Sequence, residues 1–197
     1  MTEVAASGRR SRRRRIVLVC ALLVALAVPA AAWWGQPRLA EGSLVAPGAG
    51  MTWANDGVED TRMIVRGRPV ATVTATFSIR NNGRLPFTMS GAGDTGNWLA
   101  RQQVTLIPGF PGDDATATPV RQVTVRPGDE ATLFWSLDMR CQPPLAEGAS
   151  MSVEAIPLRV STWGVPADRD LVLERPITFA GAAGTTTAMP PEDCVDG

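Results

Sequence analysis

The side chains that carry most protein chemistry are missing from this chain, which has no His, no Tyr and no Lys. Without an imidazole there is no Ser-His-Asp or Cys-His nucleophile and no imidazole metal ligand. Without an amine there is no Schiff base, phosphate-loop lysine or Ser-Lys dyad. Carboxylates are the main groups left, and they gather at Glu59-Asp60, Asp113-Asp114, Asp129-Glu130 and Asp168/Asp170. A converging pair could serve a carboxylate-dependent hydrolase, and a cluster could hold Ca²⁺. None has EF-hand spacing, and each lies in a turn-like stretch where acids cap, turn and solvate. The sequence therefore predicts no catalytic residue, no metal and no cofactor.

The remaining chemistry-bearing types invite binding or cross-linking. Gly91, Gly93 and Gly96 match the GxGxxG spacing, with Asp94 between them and Asp113-Asp114 about twenty residues on. A dinucleotide site needs that loop to open a long helix inside a parallel βαβ unit. Here Pro108-Gly109 follows with no helical apolar stripe between, so the glycines predict a loop at one end of a β domain. Trp53, Trp98 and Trp163 would stack sugar rings if they clustered, although large aromatics mostly fill cores. Gly91, Gly93, Asp94, Gly96 and Trp98 together form the candidate ligand loop. Met51, Met63, Met89, Met139 and Met151 lack a defined spacing and predict core filler over a thioether copper site.

The elements that must position these residues begin with a targeting segment. Residues 1–15 form a basic tail containing Arg9, Arg10 and Arg12 to Arg15, and residues 16–34 are uncharged. Nineteen residues at helical rise span roughly 28 Å, close to the hydrocarbon thickness of a bilayer. The charge bias keeps the N-terminus inside and sends the rest out. This predicts a single-pass transmembrane signal-anchor, with Trp33 and Trp34 in the outer interfacial belt. Ala30-Ala31-Ala32 after Pro29 also suits cleavage near Ala32, which would release a secreted domain. Cys20 lies inside the apolar run behind Val19, so it predicts an apolar side chain and not a lipidation site.

Export implies an oxidising compartment, so Cys141 and Cys194 are expected to form a disulfide. It would pin a tail at 181–197 that has no other reason for order. Beyond the apolar segment the chain holds thirteen arginines against eighteen acids. That acidic balance argues against nucleic acid or an anionic surface as a partner.

Residues 35–50 mix Gly, Pro and small side chains and predict a linker. From residue 51 to 180 the period is two. Ala71, Val73, Ala75, Phe77 and Ile79 alternate with Thr72, Thr74, Thr76, Ser78 and Arg80, and Asn81-Asn82-Gly83 then turns the chain toward 85–90. A second unit runs from Val123 and Val125 through Pro127-Gly128-Asp129-Glu130 into Leu133, Trp135, Leu137 and Met139, as strand, tight turn, strand. Weaker runs lie at 51–54, 61–65, 104–107, 151–160, 171–173 and 177–179. The expected architecture is all-β, an antiparallel β-sandwich after one N-terminal transmembrane helix.

The stretches FSIRNNGRLPFTMSG and VTVRPGDEATLFW resemble bacterial extracytoplasmic immunoglobulin-like domains, in which a core strand ends in Asn-x-Gly and a Pro-Gly turn opens the strand facing it. The resemblance covers 51–180 and implies a non-enzymatic accessory or adhesion-like module. Unlike antibody-type domains, which join two core strands by a disulfide, this chain places Cys194 in its tail. The expectation is a membrane-anchored binding or assembly module of a cell envelope, its partner an envelope protein or a glycan. The alternatives are a carboxylate-dependent hydrolase and a secreted glycan- or metal-binding domain.

Overall fold

The computed structural model describes residues 17–27, 35–55, 61–65, 72–94, 102–109, 118–139 and 145–181. The chain divides into two compact units, Met1–Gln36 and Pro37–Gly197. In the first, residues 17–27 are helical with exposed side chains, among them the free thiol of Cys20. Among the described residues no helix is long and apolar enough to cross a membrane. The rest of the expected 16–34 segment lies outside those residues.

The second unit is all β. Its strands are β1 (Leu39–Pro47), β2 (Thr52–Asn55), β3 (Thr61–Val65), β4 (Thr72–Asn81), β5 (Phe87–Ala92), β6 (Gln102–Ile107), β7 (Val123–Val125), β8 (Glu130–Asp138), β9 (Ser150–Thr162) and β10 (Val165–Ala180). They form a four-stranded sheet, β1-β4-β8-β6, and a six-stranded sheet, β2-β3-β10-β9-β5-β7. All pairings are antiparallel except β10 with β3. Both sheets contribute to one core, with Val73, Phe77, Leu133 and Trp135 from the first and Met63, Met89, Leu158 and Ile177 from the second. The architecture is a β-sandwich, as the period-two pattern predicts.

β4 shows how the pattern works. Val73, Ala75, Phe77 and Ile79 are buried while Thr72, Thr74 and Thr76 alternate outward. Ser78 breaks the rule, being fully buried on the face the sequence assigns to solvent. The cause is β1. Residues 35–50 are not a plain linker, because Leu39–Pro47 pairs antiparallel with β4 as an edge strand. Its pairing jumps register between Glu41 and Val45, so it carries no alternation, and its Pro sits on an edge, where a missing N–H is tolerated. The bulge draws Leu44 N–H onto Ser78 Oγ at 2.9 Å. A Cβ on Gly42 would land on Ser78 Oγ and Glu130 Oε2. Gly42→Ala is therefore expected to cost about 2 kcal/mol as overpacking, read as a lower denaturation midpoint with an unchanged m-value.

Both predicted turns carry the chain between sheets instead of closing hairpins. β4 and β5 lie in different sheets, as do β7 and β8. Alternation states which face is buried, not which strand is the neighbour, and two strands packed face to face give the same pattern as two paired edge to edge. Arg126 to Asp129 is a turn with Asp129 N–H donating to Arg126 O at 3.0 Å, Pro127 in second place and Gly128 at φ 84°, as a type II turn requires.

Asn81 ties the two crossings together. Its N–H donates to Asp129 O at 3.1 Å and its carbonyl accepts from Gly128 N–H at 2.9 Å. Its side-chain Nδ2 donates to Leu85 O at 2.8 Å and Val125 O at 2.9 Å, and Oδ1 accepts from Gly83 N–H at 2.8 Å. The residue is 1% exposed, so every polar atom of a buried amide is used inside the protein.

Candidate functional site

Of the expected ligand loop, Gly91, Gly93 and Asp94 are described, while Gly96 and Trp98 lie outside the described residues. Gly91 ends a register shift between β5 and β9 and has φ 138°, a conformation glycine adopts without a Cβ penalty. Gly93 donates its N–H to Pro157 O at 2.9 Å, and a Cβ there would press on the Pro157 and Leu158 backbone. Both glycines are thus required by strand geometry. β5, which leads into them, runs antiparallel to β7 and β9. It is not the parallel frame of a dinucleotide site.

Three of the acids the structure describes, Asp168, Glu130 and Glu41, do architectural work. Asp168 accepts from Arg159 Nε at 3.0 Å and Nη2 at 3.2 Å. That guanidinium holds its carboxyl below the usual range. The pair is half-exposed and contributes little to stability.

Glu130 is bound more firmly. Oε2 accepts from Ser43 N–H at 3.1 Å and Ser43 Oγ at 2.9 Å, while Oε1 accepts from Arg80 Nε at 2.9 Å. Burial pushes this carboxyl up. The Ser43 N–H, the Ser78 hydroxyl, Arg80 and the Ser43 hydroxyl outweigh it and bring the pKa to about 2.

Glu41 moves the other way, raised mainly by burial against the pull of the Glu174 N–H, with the Glu174 charge adding to the rise. Its Oε2 accepts that N–H at 2.9 Å. There β10 bulges, setting residues 173–176 against the single Glu154 of β9. Glu174 is near enough to Glu41 for its charge to act on it, so these two form a converging pair of the kind a carboxylate-dependent hydrolase needs. The Glu41 oxygen is turned instead onto backbone at the junction of β1 and β10. Glu59-Asp60 and Asp113-Asp114 lie outside the described residues. Among the described residues no group of three or more His, Cys, Asp or Glu could hold a metal ion. Cys141 and Cys194 are also outside them.

The methionines pack as filler. Met51, Met63 and Met89 are buried, and Met139 and Met151 lie against the core.

The tryptophans separate. Trp135 is fully buried, its Nε1–H donating to Gln102 Oε1 at 2.9 Å. Trp53 is half-buried, with the Arg175 guanidinium 5.8 Å from its ring centroid. Trp163 is 70% exposed at the tip of the β9–β10 hairpin. Trp53 pairs with Met63, Met63 with Ile177, and Ile177 with Val153. From Val153 to Thr162 is nine residue steps of β9, about 30 Å of strand. Trp53 and Trp163 therefore do not share a platform, and Trp98 is not described.

The hairpin tip is the feature that sequence reasoning missed. Thr162 pairs with Val165 across Trp163-Gly164, both at positive φ, 54° and 78°. That is a type I′ loop, whose first position favours Asn, Asp or Gly. A Trp there is strained and at the same time displayed to solvent. Trp163→Asn is expected to raise stability by about 0.5–1 kcal/mol by relieving that strain, seen as a higher melting temperature. Val165 lies on the core-facing side by alternation with Leu171 and Leu173, yet is 68% exposed, so the hairpin runs past the end of the core.

No protein-family model matches the chain, and no curated protein matches it.

Proposed function

We propose that this protein is a non-catalytic, membrane-anchored extracytoplasmic module of a cell envelope that works by binding or assembly, built on an immunoglobulin-like sandwich. The observation that carries the reading is how directly the topogenic segment feeds the fold: only Gly35 to Arg38 separate Trp34 from the first strand. A basic block, an uncharged run and then, four residues on, an edge strand is the order expected of an anchored extracytoplasmic domain. The immunoglobulin-like assignment draws support from the two crossings stitched by Asn81, one at Asn-x-Gly and one at Pro-Gly. Support for a non-catalytic role comes from Glu130, Asp168 and Glu41, whose oxygens are engaged by strand backbone, a serine and two arginines, Arg80 and Arg159. The Cys141–Cys194 disulfide belongs to the same proposal.

The test is to crosslink the full-length protein in its native membranes, capture it, and read partners, mature N-terminus and cysteine pairing by mass spectrometry. The expected result is a retained basic tail, a Cys141–Cys194 peptide seen only without reductant, and specific envelope proteins or glycans. A mature N-terminus at Trp33 in the medium would replace the reading with a secreted domain. Hydrolysis of an envelope polymer that is lost in Glu41→Gln would replace it with the hydrolase.

A further inference from the structure

β1 pairs with β4 in two stretches, Leu39 to Glu41 and Val45 to Pro47, and the ladder does not hold the bulge between them. Besides the Leu44 N–H on Ser78 Oγ, two carboxylates hold it, one on each side. Glu41 pairs with the fully buried Ile79, and residues directly opposite in an antiparallel pair share a face. An acid therefore stands on the core-facing side of the edge strand. Its Oε2 accepts the Glu174 N–H of β10 at 2.9 Å, joining the first sheet to the second. On the outer side Glu130 of β8 pairs with the exposed Arg80 and accepts Ser43 N–H and Ser43 Oγ at 3.1 and 2.9 Å.

The two acids favour opposite protonation states in the closed bulge. Ionising Glu41 costs desolvation, and the charge of Glu174 adds to that cost. Among the described residues the other charge acting on it is Arg175, also from β10, whose guanidinium lies 5.8 Å from the Trp53 ring centroid and offsets only part of the rise. Its β1 neighbours Ala40 and Gly42 and its β4 partner Ile79 carry no charge. Glu130 instead meets the Arg80 guanidinium and the Ser43 and Ser78 hydroxyls, which favour its ionised form.

An open bulge returns both carboxyls to water and to an ordinary pKa of 4.5. Closure then takes up a proton at Glu41 and releases one at Glu130. A raised closed-state pKa in an acid makes closure weaker as pH climbs above 4.5, and a depressed one makes it weaker as pH falls from 4.5 toward about 2. We propose that the β1 bulge is a pH-set clasp between the two sheets, closed most firmly in mild acid and loosened toward neutrality as Glu41 ionises against Glu174. Opening exposes the Glu174 N–H and the β10 bulge at 173–176 while both paired stretches of β1 stay on β4, so the seam changes without unfolding of the core.

The experiment follows amide exchange by NMR in the full-length chain in neutral detergent micelles, with rates corrected for the intrinsic pH dependence of exchange. Protection of the Glu174 amide, relative to amides of the β4–β8 pairing, is expected to peak near pH 4.5 and to fall several-fold by about pH 7.5. The Ser43 amide should follow the same profile, because one opening frees both sides of the bulge. In Glu41→Gln, whose neutral side-chain oxygen accepts the same N–H, the fall toward neutrality should vanish while the fall in stronger acid remains. Glu130→Gln should show the reverse. Glu174 protection that is flat from acid to neutral pH, or a fall toward neutrality that persists in Glu41→Gln, overturns the clasp. So does a Ser43 amide that does not follow Glu174, since the bulge then does not open as a unit. Titration of the Glu41 carboxyl carbon in the wild type needs no variant to fold, and a midpoint at or below 4.5 overturns the proposal by itself.

Discussion

Asn81→Asp is expected to destabilise the sandwich by about 4 kcal/mol at neutral pH, the largest effect of any single polar substitution considered. The change is almost isosteric, so packing is not the cause. Nδ2 donates to Leu85 O and Val125 O. A carboxylate puts a second charged oxygen against those two carbonyls in a site only 1% exposed. The new acid would therefore ionise less readily when folded than when unfolded. A raised folded pKa in an acid is a penalty that grows as pH rises through the unfolded value, so the loss should shrink in acid. Asn81→Ala removes the same bonds without adding charge and is expected to cost about 2–3 kcal/mol. Urea denaturation of both variants at neutral and acid pH measures the difference. Equal losses that do not vary with pH would show that Asn81 acts through its backbone bonds to Gly128 and Asp129 alone.

That residue also marks how far the sequence could be read. Asn81-Asn82-Gly83 announces a turn because Asn caps its own backbone two residues on, and Gly83 N–H does donate to Asn81 Oδ1. The alternation of β4 announces a strand half-buried on one face. What neither states is which strand lies across, because pairing and facing leave the same period. The crossing from one sheet to the other therefore had to come from the fold.

β1 was illegible for a different reason. Its register shift at Glu41 to Val45 erases periodicity, leaving only the Gly and Pro that also mark linkers. In β10 the bulge at 173–176 splits one long strand into two short apolar runs. The β9–β10 hairpin hid because its loop is Trp-Gly and not Asn-Gly, and a propensity rule passes over a position where the chain departs from propensity. Such departures are expected where a residue serves something other than folding. The candidate loop was legible as glycines, but the need that placed Gly91 and Gly93 is a bulge and a close backbone approach to Pro157. Neither reveals itself from spacing.

Glu130→Gln is expected to remove most of the protein's stability gain between about pH 2 and neutrality that comes from a single carboxyl. The wild-type carboxyl titrates near 2 when folded, against an ordinary 4.5. A depressed folded pKa stabilises above the unfolded value, and the contribution is lost as pH falls from about 4.5 toward 2. The linkage corresponds to at most about 3 kcal/mol at neutral pH. Arg80 is 48% exposed, and solvent screening of its share lowers the expectation to about 2.

The partners Ser43, Ser78 and Arg80 come from β1 and β4, so the carboxylate ties the bulge of the edge strand to the sheet in addition to the β1–β4 pairing. Gln keeps the shape but offers only one acceptor oxygen, and its amide puts a donor where Ser43 or Arg80 also donates. Melting curves across pH should therefore show the variant below wild type at neutral pH and converging on it near pH 2. A gap of constant size would mean that the carboxyl's charge contributes nothing and that only its geometry holds β1. Hydrogen exchange separates the two cases by location. Loss of the charge should free the Ser43 and Leu44 amides first, while the β4–β8 pairing that runs from Thr72 to Arg80 keeps its protection.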